Sequence, residues 1–176
     1  MSTLSRRSFS VGAGALATAP TVIFGQARRV FKFALVGCGG RGSGAARDFT
    51  QAAERMGHQA VLVAAADFFP EKAAVVCKSH GCDVKYAFGG ANGYKKIMDT
   101  DAEIVLLATP PVFRARHAEA CVKAGKHIFA EKPVATDPAG IRHFLRVVEA
   151  AKAVKLSILS GTCHRHNNKA LRMIGP

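Results

Sequence analysis

"ALVGCGGRG", residues 34–42, brings a short apolar run to a turn made almost wholly of glycine. Within it, Gly37-Cys38-Gly39-Gly40-Arg41-Gly42 fits the pattern G-x-G-x-x-G. Alone the pattern is weak, because glycine turns are common; the flanking elements decide what it means. "VFKFALVG" (Val30–Gly37) reads as a buried strand ended by glycine, and Gly42–Met56 supports a helix of mostly small residues. A strand, this turn and a helix in succession make a cradle for a diphosphate. Gly37 permits the sharp turn, Gly39 lets the backbone approach the phosphates, and Gly42 lets helix and strand pack closely. The helix start then offers unpaired N–H groups and the positive end of its dipole. A purely structural glycine loop is the competing reading, and the strand–turn–helix context disfavours it.

Outward from that turn, apolar runs and helical stretches alternate. "AVLVAAAD" (Ala60–Asp67) is a second strand, followed by a helix from Pro70 to about His80. "VKYAF" (Val84–Phe88) reads as a weak third strand, "EIVLLAT" (Glu103–Thr109) as a strong fourth, "HIFAE" (His127–Glu131) as a fifth and "KLSILSG" (Lys155–Gly161) as a sixth. Helices are expected at Tyr94–Met98, Phe113–Ala124 and after Asp137, which caps a helix with Pro138 at its first position. Strands that are apolar throughout belong to a parallel sheet covered on both faces. The expected fold is therefore α/β, a doubly wound parallel sheet over residues 30–161.

Composition agrees with a globular domain: 176 residues, 49% apolar and 21% charged. The net charge of +13 invites a nucleic-acid reading, but the basic residues are scattered, with no arginine-rich run and no basic stripe interleaved with aromatics. A solvated basic surface is the better account, and no nucleic-acid partner is expected. Five cysteines (Cys38, Cys77, Cys82, Cys121, Cys163) form no C-x-x-C pair, which argues against a zinc ribbon. Cys77 and Cys82 are close enough in sequence to pair under oxidising conditions, although free buried thiols are the default. No metal site is expected; His164 and His166 flanking Arg165 lack an acidic partner.

Two further features bear on a dinucleotide. Asp67 ends the second strand, where a carboxylate accepts hydrogen bonds from ribose hydroxyls and repels a 2′-phosphate. It lies 25 residues beyond Gly42, a little further than the usual ~20. NAD is therefore favoured over NADP. Thr109-Pro110-Pro111 and Glu131-Lys132-Pro133 end the fourth and fifth strands, the side of an open α/β sheet on which ligands bind. A lysine there is able to hydrogen-bond a substrate oxygen and steady its developing negative charge, though spacing alone does not separate Lys132 from an ordinary surface lysine.

"TPPVFRARHAEACVKAG" and "AGKHIFAEKPVATDPAG" closely resemble the nucleotide-binding domain of the glucose–fructose oxidoreductase, inositol dehydrogenase and MocA family. The resemblance runs from about Phe31 to Gly161, and E-K-P is among its most specific motifs. It implies a catalytic role for Lys132, facing the substrate carbon that gives or takes hydride. It places Glu131 by the nicotinamide, lines the cofactor groove with Thr109, Pro110 and His117, and sets Arg41 in the phosphate loop. NAD(P)-dependent hydride transfer on a sugar, polyol or related cyclic substrate is the implied activity, with homo-oligomers if full length. Some relatives instead cleave glycosidic bonds through bound NAD, but those typically replace the lysine that Lys132 matches.

At the N-terminus, Ser5-Arg6-Arg7-Ser8-Phe9 precedes a soft apolar stretch and the small residues Gly25 and Ala27. The order resembles a bacterial twin-arginine export signal over residues 1–27, too interrupted by glycine and proline to be a stable membrane span. Removing that leader, with its two arginines, leaves +11 of the +13 charge. Export to the periplasm with NAD already loaded would reconcile the signal with a cytoplasmic cofactor. In the family a second, mostly antiparallel α+β domain supplies the substrate pocket and an acid–base pair. Residues 162–176 resemble the crossover toward that domain. The expectation is thus a truncated form that keeps the nucleotide-binding half, or a nucleotide-binding remnant without catalysis.

Overall fold

The computed structural model describes residues 28–162. The export signal at 1–27, Cys163 and the His164-Arg165-His166 cluster lie outside the described residues. The chain runs β1 (Val30–Val36), α1 (Gly40–Arg55), β2 (Gln59–Asp67), α2 (Pro70–Ser79), a 3-10 turn (Val84–Tyr86), β3 (Ala87–Gly89) and α3 (Gly93–Met98). It continues through β4 (Ile104–Leu107), α4 (Pro111–Lys123), β5 (His127–Glu131), α5 (Pro138–Ala153) and β6 (Ile158–Gly161). The six strands form one sheet in the order β3-β2-β1-β4-β5-β6, every pair parallel. The order reverses between β1 and β4, so the ligand crevice of such a sheet should open beyond their carboxyl ends.

Alternation along each strand explains why the apolar runs are unbroken. In β1, Phe33 and Leu35 point to the face covered by α1 and α2, where they meet Ala46, Ala53, Val76 and Cys77. Ala34 and Val36 point to the opposite face, where Ile97, Ala118, Cys121, Phe144 and Val147 of α3, α4 and α5 pack. Both faces are buried, so every second position must be apolar on each side. The covering is uneven at one edge. On the α1/α2 side, the paired residues Phe129 of β5 and Leu159 of β6 are only part-buried and 60% exposed respectively.

Two elements differ from the sequence expectation: β6 begins at Ile158, because Lys155 sits at φ +59° in the turn that leaves α5, and β3 also starts late. The third strand does not begin at Val84. Asp83 caps a 3-10 turn by accepting from the Lys85 amide at 3.0 Å, and only Ala87–Gly89 pairs with β2. A local side-chain bond to the backbone has won over the β-propensity of Val84 and Tyr86. Cys38, Cys77, Cys82 and Cys121 are free thiols, three of them buried. Asp137 caps α5 as its position suggests, accepting from the Gly140 amide at 2.9 Å.

Candidate functional site

The glycine turn is fixed by what its residues lack. Gly37 sits at φ +95°, and a Cβ there would stand 2.7 Å from the carbonyl carbon of Ala108 and the amide of Thr109. A Cβ on Gly42 would fall 1.8 Å from the Gly37 oxygen. The turn is thus pressed between the start of α1 and the end of β4. Gly39 is the opposite case: a Cβ there meets nothing within 4 Å. That open space adjoins the first turn of α1, which has no side-chain cap and no acidic residue. The first helical bond is donated by Ser43 to Gly39, so the preceding amides have no partner of their own within the helix.

Asp67 braces this turn from the neighbouring strand. One carboxylate oxygen accepts from the Cys38 amide at 2.7 Å and the other from the Phe69 amide at 3.0 Å. Phe68 and Phe69 beside it are exposed, and the Lys72 ammonium stands 4.6 Å from the Phe69 ring centre. These residues share one cleft of about 480 Å³, which also takes in Gly37, Gly39, Thr109, Pro110 and His117. It opens at the carboxyl ends of β1, β2 and β4, where the strand order predicts a crevice. A larger hollow of about 660 Å³, bounded by Leu62, Asp83, Phe88 and Asp101, contains none of the expected site residues. The smaller cleft is the one that gathers the expected residues Gly37, Gly39, Asp67, Thr109, Pro110 and His117.

His117 forms a wall of that cleft. It is 7% exposed, its Nδ1 lies 3.2 Å from the Thr109 hydroxyl, and its ring packs 4.1 Å from that of Tyr94. Burial, reinforced by the cations of Arg116 and Arg114, pushes its pKa down to about 4. The imidazole is therefore neutral near pH 7.

The β5 end is built differently. Glu131 is 5% exposed, and its carboxylate accepts from Arg41 Nε at 2.7 Å. Arg41, expected in the phosphate loop, starts there and reaches across to β5. Lys132 follows with an exposed side chain. Neither Arg41, Gly42, Glu131 nor Lys132 lines the 480 Å³ cleft itself: Gly42 is buried under the turn, and the others stand on its β5 side.

Sequence reasoning overlooked Arg114. It is 3% exposed, and its guanidinium donates to the carbonyls of Thr109, Glu131 and Pro133. A signal was present: Arg114, His117, Ala118 and Cys121 all lie on the buried stripe of α4, and a cation on such a stripe needs an internal partner. Tyr94 and Lys72 were also missed, because nothing in their spacing marks the cleft.

The residues present suit a dinucleotide. The space beside Gly39, the uncapped start of α1 and the carboxylate at the end of β2 match diphosphate and ribose in turn. Among the described residues no group of three or more His, Cys, Asp or Glu is placed to hold a metal ion. No helix among them is long and apolar enough to cross a membrane.

Comparison with known proteins points the same way. Residues 31–159 match the model of an oxidoreductase family with an NAD-binding Rossmann fold. Inositol 2-dehydrogenase of Rhizobium meliloti (strain 1021) is 34% identical over 122 residues, which cover 69% of this chain and 34% of that protein. The chain thus spans about a third of that relative's length. The WlbA dehydrogenase of Chromobacterium violaceum, solved with NADH and UDP-GlcNAcA, superposes with a TM-score of 0.62 at 29% identity over 80% of this chain and 37% of that one. KijD10, a 3-ketoreductase of Actinomadura kijaniata solved with NADP, gives 0.64 at 21% identity over 82% and 42%, a likeness of fold. Strand order, glycine turn and family match agree: the chain belongs to the glucose–fructose oxidoreductase, inositol dehydrogenase and MocA family of oxidoreductases, through its NAD(P)-binding Rossmann domain.

Proposed function

We propose that the protein takes part in NAD-dependent hydride transfer on a sugar, inositol or related cyclic polyol. One observation carries the reading: a single cleft at the point of strand-order reversal gathers Gly37, Gly39, Asp67, Thr109, Pro110 and His117. The amides at the start of α1 would hold the diphosphate, with Gly39 leaving them uncovered. Asp67, already oriented by the Cys38 and Phe69 amides, would accept from the adenosine ribose hydroxyls. Its negative charge, with the apolar Phe68 and Phe69 beside it, favours NAD over NADP. Lys72 lines the same cleft with its ammonium over the Phe69 ring, and its positive charge works against that preference.

When bound, the nicotinamide supplies the hydride donor and acceptor. The chain's own residues set the conditions around it. Neutral His117, with Thr109 and Pro110, walls the groove and adds no positive charge beside the ring. Glu131 keeps a defined place through Arg41. Lys132, exposed at the end of β5, donates a hydrogen bond to the substrate oxygen and steadies the negative charge that develops as hydride moves. In this reading Lys132 is the catalytic residue of the chain.

The test is incubation with NAD and a panel of inositols and aldoses, followed by nicotinamide absorbance. Reduced nicotinamide should form with at least one member, and Lys132→Ala should abolish it while NADH still binds. NADH binding without turnover on any of the panel would overturn the oxidoreductase reading in favour of a nucleotide-binding module. Export by the twin-arginine route belongs to the same proposal, supported by Arg6-Arg7 and the soft apolar stretch behind them. Replacing both arginines with lysine should hold the protein in the cytoplasm; unchanged periplasmic recovery would contradict it.

A further inference from the structure

Arg114 is held in a way that packing alone does not explain. It is 3% exposed on the inner stripe of α4. Burial lowers its pKa, and among the described residues it makes no ion pair; the nearby Glu131 carboxylate goes to Arg41 instead. Taking a guanidinium out of water is costly unless its donors find acceptors. It finds main-chain oxygens: Nη1 donates to Glu131 at 2.5 Å and to Pro133, and Nη2 donates to Thr109. Nε is buried without a partner. A leucine or methionine would fill the same volume without that cost, so the site is explained by what the guanidinium grips.

The gripped carbonyls belong to the residues immediately before and after Lys132, and to the turn that ends β4. The planar fork of the guanidinium reaches both strand ends at once, which an ammonium on a flexible stem does not reproduce. We infer that Arg114 is a positioning residue: it pins the backbone on either side of Lys132 to the Thr109–Pro110 turn, so that the lysine starts from one fixed place beside the cofactor cleft. Lys132 itself is exposed and gains no such restraint from its own side chain. The inference rests on the proposed role of Lys132, but the clamp is a property of the free protein.

The test compares wild type with Arg114→Lys and Arg114→Ala, each checked for folding by circular dichroism. Amide hydrogen exchange at Lys132 and Val134, in the absence of nucleotide, should quicken ~10-fold or more in both variants as local opening becomes easier. With NAD and the preferred polyol, kcat should fall ~100-fold, the scale of a small misplacement of a reacting group, while KM for NAD stays within ~3-fold. Low, non-denaturing guanidinium should restore part of the rate to Arg114→Ala, and ammonium should not. Unchanged exchange at Lys132 and Val134 in folded Arg114→Lys would overturn the inference, as would an unchanged kcat. Loss of activity in step with loss of folded protein, without guanidinium rescue, would mark Arg114 as structural only and equally overturn it. If wild type binds no NADH, the functional reading fails, and the exchange measurement alone decides the clamp.

Discussion

The two sides of the cleft are built from different materials. On the β1–β2 side the geometry is main chain: glycines that leave room, amides that point outward, and one carboxylate that braces them. On the β4–β5 side it is side chain: Arg114 on three carbonyls, Arg41 on Glu131, and His117 packed on Tyr94. The first side is set by steric exclusion, so it tolerates almost no added atom at Gly37 or Gly42. The second is set by charge and burial, so pH and charge substitution should move it.

The largest effect should come from the steric side. Gly42→Ala places a Cβ 1.8 Å from the Gly37 oxygen, and relieving that means parting the helix start from the turn. A loss of about 4 kcal/mol in urea unfolding is expected, at the upper end of single substitutions, with NADH binding lost too. A loss under 1 kcal/mol would show that the turn is not rigidly packed.

Acid should strike the other side. His117 titrates at about 4 in the folded chain and at its ordinary 6.5 when unfolded. Between those values the unfolded state binds the extra proton, so stability is full above pH 6.5 and falls as pH drops toward 4. The loss through this residue should approach ~3 kcal/mol, and His117→Gln should remove that part of the acid sensitivity. An unaltered pH profile in the variant would mean that His117 is not neutral by burial.

A smaller effect is expected at Asp67, on the β1–β2 side, where the proposal puts the adenosine ribose. Asp67→Asn removes the charge that repels a 2′-phosphate and exchanges one amide acceptor for a donor. The affinity ratio of NADPH to NADH should rise ~10-fold, about 1.4 kcal/mol. A ratio that stays put would contradict Asp67 as the basis of the proposed preference for NAD.

How much of this could be read in the sequence follows the same division. The strand–turn–helix around Gly37–Gly42 was legible because steric exclusion leaves a fixed residue type at a fixed spacing. The apolar runs revealed a sheet buried on both faces. Asp67 was legible as the residue closing β2. Arg114 was not, because its partners are carbonyls, which every residue carries, on strand ends 5, 17 and 19 residues away. The Arg41–Glu131 pair spans 90 residues, and no local pattern announces it. The late start of β3 shows the reverse: a short polar residue, Asp83, overrode the apolar pattern at Val84 by a bond too local to register as periodicity.

The most direct measurement exploits the one glycine with room around it. Gly39→Val puts its side chain into space where nothing lies within 4 Å of the added Cβ, so the melting temperature should stay within ~3 °C of wild type. If the α1 amides receive the cofactor's diphosphate there, calorimetry should record saturable NADH binding by wild type and a loss of at least ~100-fold in the variant. Equal affinity in the two proteins, both folded, would place the nucleotide somewhere other than the glycine turn and contradict the account at its root.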